Sequence, residues 1–397
     1  MPSAPSPGNA AARSTLASRC ETLTQSEIRA MSIECERLGG VNLSQGVCDM
    51  PLPRPLIDAA AAAIADGPNS YTRYDGIAEL REAIAKKLLS FNGVEADPEG
   101  EIVVSAGATG AFYCACLALL DPGDEVILFE PYYGYHVTTL RAVGAVPRFV
   151  RMSPGDWSFD PEALAAACST RTKAIMINTP ANPSGKIWSR AELEGLAEFA
   201  RSRDLVVFTD EIYEYIAYDS VEHVSPASLP GLKDRTVTIS GYSKTFSITG
   251  WRIGYAACRP DWAKMIGYMN DLVYVCAPAP LQKGVAVALG ALDESYYREL
   301  GLELTAKRGV LCAALERAGL RPHVPQGAYY VLADVSRLPG RTGKERAMHL
   351  LETTGVASVP GEAFYHKPED GYGLARFCFA KTDKELEEAC RRLGELR

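Results

Sequence analysis

Between about residues 98 and 260, short β-branched runs alternate with turns and helix-like stretches. The runs are "GEIVVSAG", "DEVILFEP", "TKAIMINTP", "LVVFTDEIY" and "RTVTISGY", and "GYAACRP" can add a further strand. Amphipathic segments such as "PEALAAAC" and "RAELEGLAEFARSRD" lie between them. Short apolar runs bounded by Gly, Pro or Asp fit strands buried on both faces. Strand–helix alternation predicts an α/β fold, a mostly parallel sheet with helices on both sides. After about residue 293 the texture changes. A long helix-like stretch leads into "GAYYVLADV", the helix "GKERAMHLLETTG", then "VASVPG", "ARFCFA" and a terminal helix, "DKELEEACRRLGEL". That order predicts a smaller α+β domain at the C-terminus.

Composition narrows the function. The chain has 397 residues, 47% hydrophobic and 23% charged, with a formal net charge of −8. An acidic chain without a basic block is a poor partner for nucleic acid. The most apolar helix-like run, "IDAAAAAIADG", is interrupted by Asp58 and Asp66, so no membrane span is expected. Eleven cysteines are scattered with no C-x-x-C. That usage predicts reduced thiols, a cytoplasmic location and no metal centre. The first 20 residues are rich in Pro, Ala and Ser and read as a disordered tail, with a transit peptide as the alternative.

In an open parallel sheet, ligands bind outside the carboxyl ends of the strands. The residues following each run are Ser105 to Ala111, Pro131 to Tyr133, Asn178 to Gly185, Asp210 to Tyr213 and Ser240 to Lys244. Parallel strands would gather them on one edge. "SAGATGA" opening a helix presents free N–H groups to an anion. It lacks the P-loop and dinucleotide patterns, so a single small phosphate with Arg252 as counter-charge suits it better. Asp210, ending a buried strand, needs a cationic partner: a nearby base or a protonated ring nitrogen. Lys244 is either a solvated turn lysine or an amine that condenses with an aldehyde. Asn182 has a plain reading as a turn residue. Core packing accounts equally for Tyr132, Tyr133, Tyr213, Tyr329 and Tyr330, although four of these, Tyr213 aside, would also suit an apolar or aromatic substrate.

The stretch "SGYSKTFSITGWRIGY" resembles the cofactor-lysine region of the class I/II aminotransferases, pyridoxal-phosphate enzymes of fold type I. "VNLSQGVCDMPLP", "YTRYDGIAELREAI", "SAGATGAFY", "DPGDEVILFEPYY", "NTPANPSG", "TDEIY", "PQGAYY" and "ARFCFA" follow in the family's order. Their joint occurrence is specific. The resemblance implies transamination between an L-amino acid and a 2-oxo acid by double displacement. Lys244 would form the internal aldimine and shuttle the proton. Asp210 would pair with the pyridinium nitrogen, and Tyr213 and Asn182 would bond the 3′-oxygen. Tyr133 would stack on the ring. Ala108, Thr109, Ser243 and Arg252 would hold the phosphate, with Tyr71 reaching the phosphate of a neighbouring subunit in a homodimer. Arg376 would bind the substrate α-carboxylate, and Gly46 would lie on a loop over the substrate.

The resemblance also implies a large pyridoxal-phosphate-binding domain over residues 53–290. Residues 21–52 would join residues 291–397 in the small domain. Two departures stand out. Gly241 occupies a position that is often serine, leaving open whether Ser240 replaces that hydroxyl. Cys48 and Met50 replace a proline and an aromatic on the N-terminal loop, which points to an unusual substrate. Elimination, cyclisation or oxidation on the same cofactor remains the alternative reaction. A ligand-sensing relative without catalysis is the remoter one.

Overall fold

The computed structural model describes residues 15–22, 25–67 and 69–396. Of the tail expected over residues 1–20, residues 1–14 lie outside the described residues, and Ser18–Thr22 forms a short 3-10 turn.

Seven strands form the main sheet: β1 (Ile102–Ala106), β2 (Glu125–Glu130), β3 (Val146–Arg151), β4 (Thr172–Asn178), β5 (Val206–Asp210), β6 (Thr236–Gly241) and β7 (Ile253–Ala257). Their order is β1-β7-β6-β5-β4-β2-β3. The five runs foreseen as strands all point the same way. The sixth, β7, runs antiparallel between β1 and β6. The edge strand β3 has no counterpart in the sequence reading. Pro147 and two arginines interrupt its apolar character, and most of its residues are at least partly exposed, as an edge strand permits.

Alternation along the strands explains the layers. Val126, Leu128, Ala174, Met176 and Phe208 pack into one core, with Phe112 and Ile266 from the helices Gly107–Leu119 and Pro260–Tyr274. Ile127, Phe129, Ile175, Ile177 and Val207 face the opposite core, with Leu193 and Leu196 from the helix Arg190–Ser202. Successive side chains of a strand point to opposite faces, so runs apolar at every position need a core on each side. The helix Arg190–Ser202 starts at a capping box in which Ser189 and Glu192 bond each other's backbone N–H.

A second, antiparallel sheet has the order Val359–Pro360, Leu374–Cys378, Tyr330–Asp334, Arg321–His323. Near the N-terminus, Val41–Asn42 pairs in parallel with Val356–Ala357. The helix Glu27–Arg37 buries Met31 and Cys35 against Ala347, Leu351 and Ala357.

Behind the end of β5 lies a buried polar network. Glu211 bonds His223 Nε2 at 2.8 Å and accepts from Ser225 Oγ at 2.9 Å. Glu214 accepts from Ser240 Oγ at 2.9 Å and from Asn92 Nδ2 at 2.9 Å, and forms an ion pair with Lys87. Lys87 Nζ also donates to Tyr255 Oη at 3.0 Å. Removing one member of a buried ion pair leaves the other charge uncompensated. Lys87→Met is therefore expected to lower stability by about 3–5 kcal/mol. Urea denaturation measures it, and the loss should shrink when Glu214→Gln is added.

Candidate active site

Sheet register brings the polar residues together. Asn178 pairs with Asp210 across β4 and β5, and Asp210 with Ile239 across β5 and β6. Because β7 is reversed, its start lies at the same edge. Gly254 stands opposite Gly241 on one side and Ser105 on the other, which delivers Arg252 to the start of the helix Gly107–Leu119. Contact there is close. A Cβ on Gly254 would meet the Ala108 nitrogen at 2.5 Å, and one on Gly107, whose φ is +74°, would meet Arg252 Nη2 at 2.5 Å. Only glycine leaves room for the helix N-terminus and the guanidinium to share this space.

A cavity of about 820 Å³ opens over this edge. Gly46, Ala108, Thr109, Tyr133, Asn182, Asp210, Tyr213, Ser243, Lys244, Arg252 and Arg376 all line it. Of the expected site residues only Tyr71 lies elsewhere. It is 82% exposed, beside a separate cavity of about 910 Å³.

Lys244 Nζ donates to the Gly46 carbonyl at 2.9 Å and lies 5.7 Å from the Tyr329 ring centroid. Burial depresses its pKa to about 8, with Arg376 and Arg252 pushing the same way and two cysteines opposing. A lysine so tuned offers a neutral amine near neutrality. Asp210 Oδ2 bonds His136 Nε2 at 2.8 Å, and its Oδ1 accepts from the Ile212 N–H at 3.2 Å. The Tyr213 and Tyr330 hydroxyls are 2.9 Å apart. Burial raises the pKa of both phenols, that of Tyr330 to about 12, so they enter the site as protonated donors.

Arg376 is fully buried. Nη1 donates to Asn182 Oδ1 at 2.8 Å and Nη2 to the Ser44 carbonyl at 2.6 Å, while Nε has no partner among the described residues. Its guanidinium lies 4.2 Å from the Tyr330 ring centroid. A buried cation bonded only to neutral oxygens is a site for an anion. Arg252 likewise donates from Nη1 to a backbone oxygen, that of Thr249, at 2.9 Å.

His136 went unnoticed in the sequence reading. It is three residues past Tyr133, within reach of the same helical face, and the two rings meet edge to face at 5.2 Å. That spacing was the available signal. Both departures have a structural outcome. Cys48 and Met50 are buried in the core beside Ile212 and Tyr213 and do not line the cavity, although Gln45, Gly46 and Val47 of the same loop do. Cys48 Sγ accepts from Ser247 Oγ at 3.1 Å instead. Ser240 turns its hydroxyl away, toward Glu214. Tyr133 and Tyr330 reach the cavity, whereas Tyr132 and Tyr329 do not line it.

The sequence matches the family described as aminotransferase class I and II over residues 39–393. It is 38% identical to a probable N-succinyldiaminopimelate aminotransferase DapC of Mycobacterium tuberculosis, over 92% of this chain and 94% of that one. It is 34% identical to kynurenine–oxoglutarate transaminase 3 of Rattus norvegicus, over 88% and 83%. The solved structure of N-succinyldiaminopimelate aminotransferase from Mycobacterium tuberculosis superimposes with a TM-score of 0.92 at 37% identity, covering 96% of this chain and all of that one.

The depressed pKa of Lys244 has a direct readout. Its amine should be labelled by trinitrobenzenesulfonate in a pH-dependent way with a midpoint near 8, rising with pH as the proton leaves. Solvated lysines titrate about two units higher. Peptide mass spectrometry across pH 6 to 10 checks this, and a Lys244 midpoint among the solvated lysines would contradict the burial argument.

Proposed function

Since the chain belongs to the class I and II aminotransferases, pyridoxal 5′-phosphate-dependent enzymes of fold type I that move amino groups, we propose a role for each residue of its cavity. Bound pyridoxal phosphate supplies an aldehyde for the amino group and an electron-withdrawing ring that accepts the electron pair left when the Cα–H bond breaks. The cavity suits that group. Glycines 107 and 254 leave a cradle at a helix N-terminus, and Arg252 stands over it with no carboxylate partner among the described residues. Ala108, Thr109, Ser243 and Arg252 would hold the phosphate.

Lys244 would hold the aldehyde and, once free, would carry the proton at Cα, since burial lowers its pKa to about 8 and leaves much of the amine neutral near that pH. Asp210 would keep the ring nitrogen protonated, and His136 on Oδ2 with the Ile212 N–H on Oδ1 holds the carboxylate oriented. Tyr213 and Asn182 would donate to the ring oxygen, and Tyr133 would cover the ring face. Arg376 clamps the α-carboxylate of the amino acid, and later that of the 2-oxo acid, with Gly46 on the loop above. The observation that carries this reading is the convergence of Lys244, Asp210 and a fully buried Arg376, bonded to the Asn182 amide and the Ser44 carbonyl, on one cavity.

Three further assignments follow. Residues 53–290 form the large domain, and residues 21–52 join residues 291–397 in the small one; the pairing of Val41–Asn42 with Val356–Ala357 supports this. The chain acts as a homodimer in which Tyr71 reaches the cavity of the partner subunit. The exposure of Tyr71, beside a cavity lined by Ala59, Ala62, Ala63, Pro280 and Val287, supports that role. Eleven unpaired cysteines favour a reducing, cytoplasmic setting.

Purified protein should turn yellow with pyridoxal phosphate, and borohydride should fix the cofactor on Lys244. An amino acid alone should then convert the bound cofactor to its amine form. Arg376→Lys should raise KM for amino acids by about tenfold or more, through loss of the bidentate fork, with a much smaller change in cofactor affinity. Equal changes would remove Arg376 from the carboxylate role. Sedimentation should give twice the chain mass, and Tyr71→Phe should weaken cofactor binding without dissociating the dimer.

A further inference from the structure

We propose that Arg29 forms an outer anion subsite at the mouth of the cavity and receives the distal carboxylate of a dicarboxylic 2-oxo acid, an inference that rests on the transaminase reading above. The helix Glu27–Arg37 lines the mouth with Arg29, Ser32, Ile33 and Glu36. Spacings of three and four residues place these side chains on one helical face. Ser32 Oγ lies 3.3 Å from Ser44 Oγ, and the Ser44 carbonyl accepts from Arg376 Nη2 at 2.6 Å. Arg29 therefore stands three residues, about 4.5 Å, along the helix from a residue that touches the support of Arg376 itself. An arginine side chain spans that interval, so a ligand whose first carboxylate sits on Arg376 can present a second one to Arg29.

Charge points the same way. Four cations line the cavity, Arg29, Lys244, Arg252 and Arg376, against two carboxylates, Asp210 and Glu36. Lys244, Arg252 and Arg376 donate to neutral oxygens, and Arg29 has no side-chain partner among the described residues. Asp210 is already bonded to His136. In the proposed division of roles, Lys244 and Arg252 serve the cofactor and Arg376 the α-carboxylate, which leaves the Arg29 charge for a further anion. Glu36 lies two turns on, about 10.5 Å along the helix axis. It disfavours an anion at its own end of the mouth and leaves the Arg29 end as the favourable one. A monocarboxylic oxo acid has nothing to place there, so Arg29 discriminates between acceptors.

The test uses the holoenzyme and its Arg29→Ala, Arg29→Gln and Arg29→Lys variants with a fixed amino donor. The acceptors are 2-oxoglutarate, pyruvate and 4-methyl-2-oxopentanoate. Arg29→Ala and Arg29→Gln should raise KM for 2-oxoglutarate by about tenfold, the loss of one charge-assisted contact, and move KM for the two monocarboxylates less than about twofold. Arg29→Lys should recover part of the 2-oxoglutarate affinity, because it restores the charge without the planar fork. Variants that turn over all three acceptors with unchanged relative KM overturn the subsite and leave the transaminase reading intact. A wild-type protein that binds cofactor on Lys244 yet uses no oxo acid overturns both.

Discussion

The site depends on the hydrogen-bond ladder joining the carboxyl ends of β4, β5 and β6, in which Asn178, Asp210 and Ile239 stand side by side. A slip of one residue in that register would turn Asp210 away from the cavity, because strand side chains alternate between faces. The reversed strand β7 extends the arrangement. Wedged between β6 and β1, it begins where they end, so the arginine just before it meets the glycine turn after β1. Glycines 107 and 254 allow those backbones to approach as closely as they do.

Neighbouring residues on one turn serve two environments. Asp210 lines the cavity and bonds His136, while Glu211 points into a separate buried network with His223 and Ser225. Tyr213 meets Tyr330 at the cavity, and Glu214 pairs with Lys87 behind it. The buried acids behind the sheet thus find their cation within the protein. The cavity keeps Arg252, Arg376 and Lys244 on neutral oxygens, a charge distribution that favours anionic ligands.

The buried strands were legible in the sequence because strands covered on both faces must be apolar at successive positions, and only their ends are free to be polar. Lys244, Asp210 and Asn182 could be singled out for that reason; their roles, and Arg376 in the middle of its strand, came from the resemblance of the motifs around them. The edge strand Val146–Arg151 was not, since a half-exposed strand carries no such run. His136 was missed because its role comes from a bond to Asp210, 74 positions away. Cys48 and Met50 lie on a loop whose residues Gln45 to Val47 line the cavity, and only their burial in the core cluster that also holds Ile212 and Tyr213 shows that these two face inward.

Local pattern by itself therefore determined which buried segments are strands, that the main sheet is mostly parallel, and which polar residues end its strands. Those properties follow from periodicity and turn chemistry over a few neighbouring residues. Tertiary structure decided the strand order, the reversal of β7, the partner of each buried charge and the depressed pKa of Lys244. These depend on which distant segments meet, and on how much water their meeting excludes.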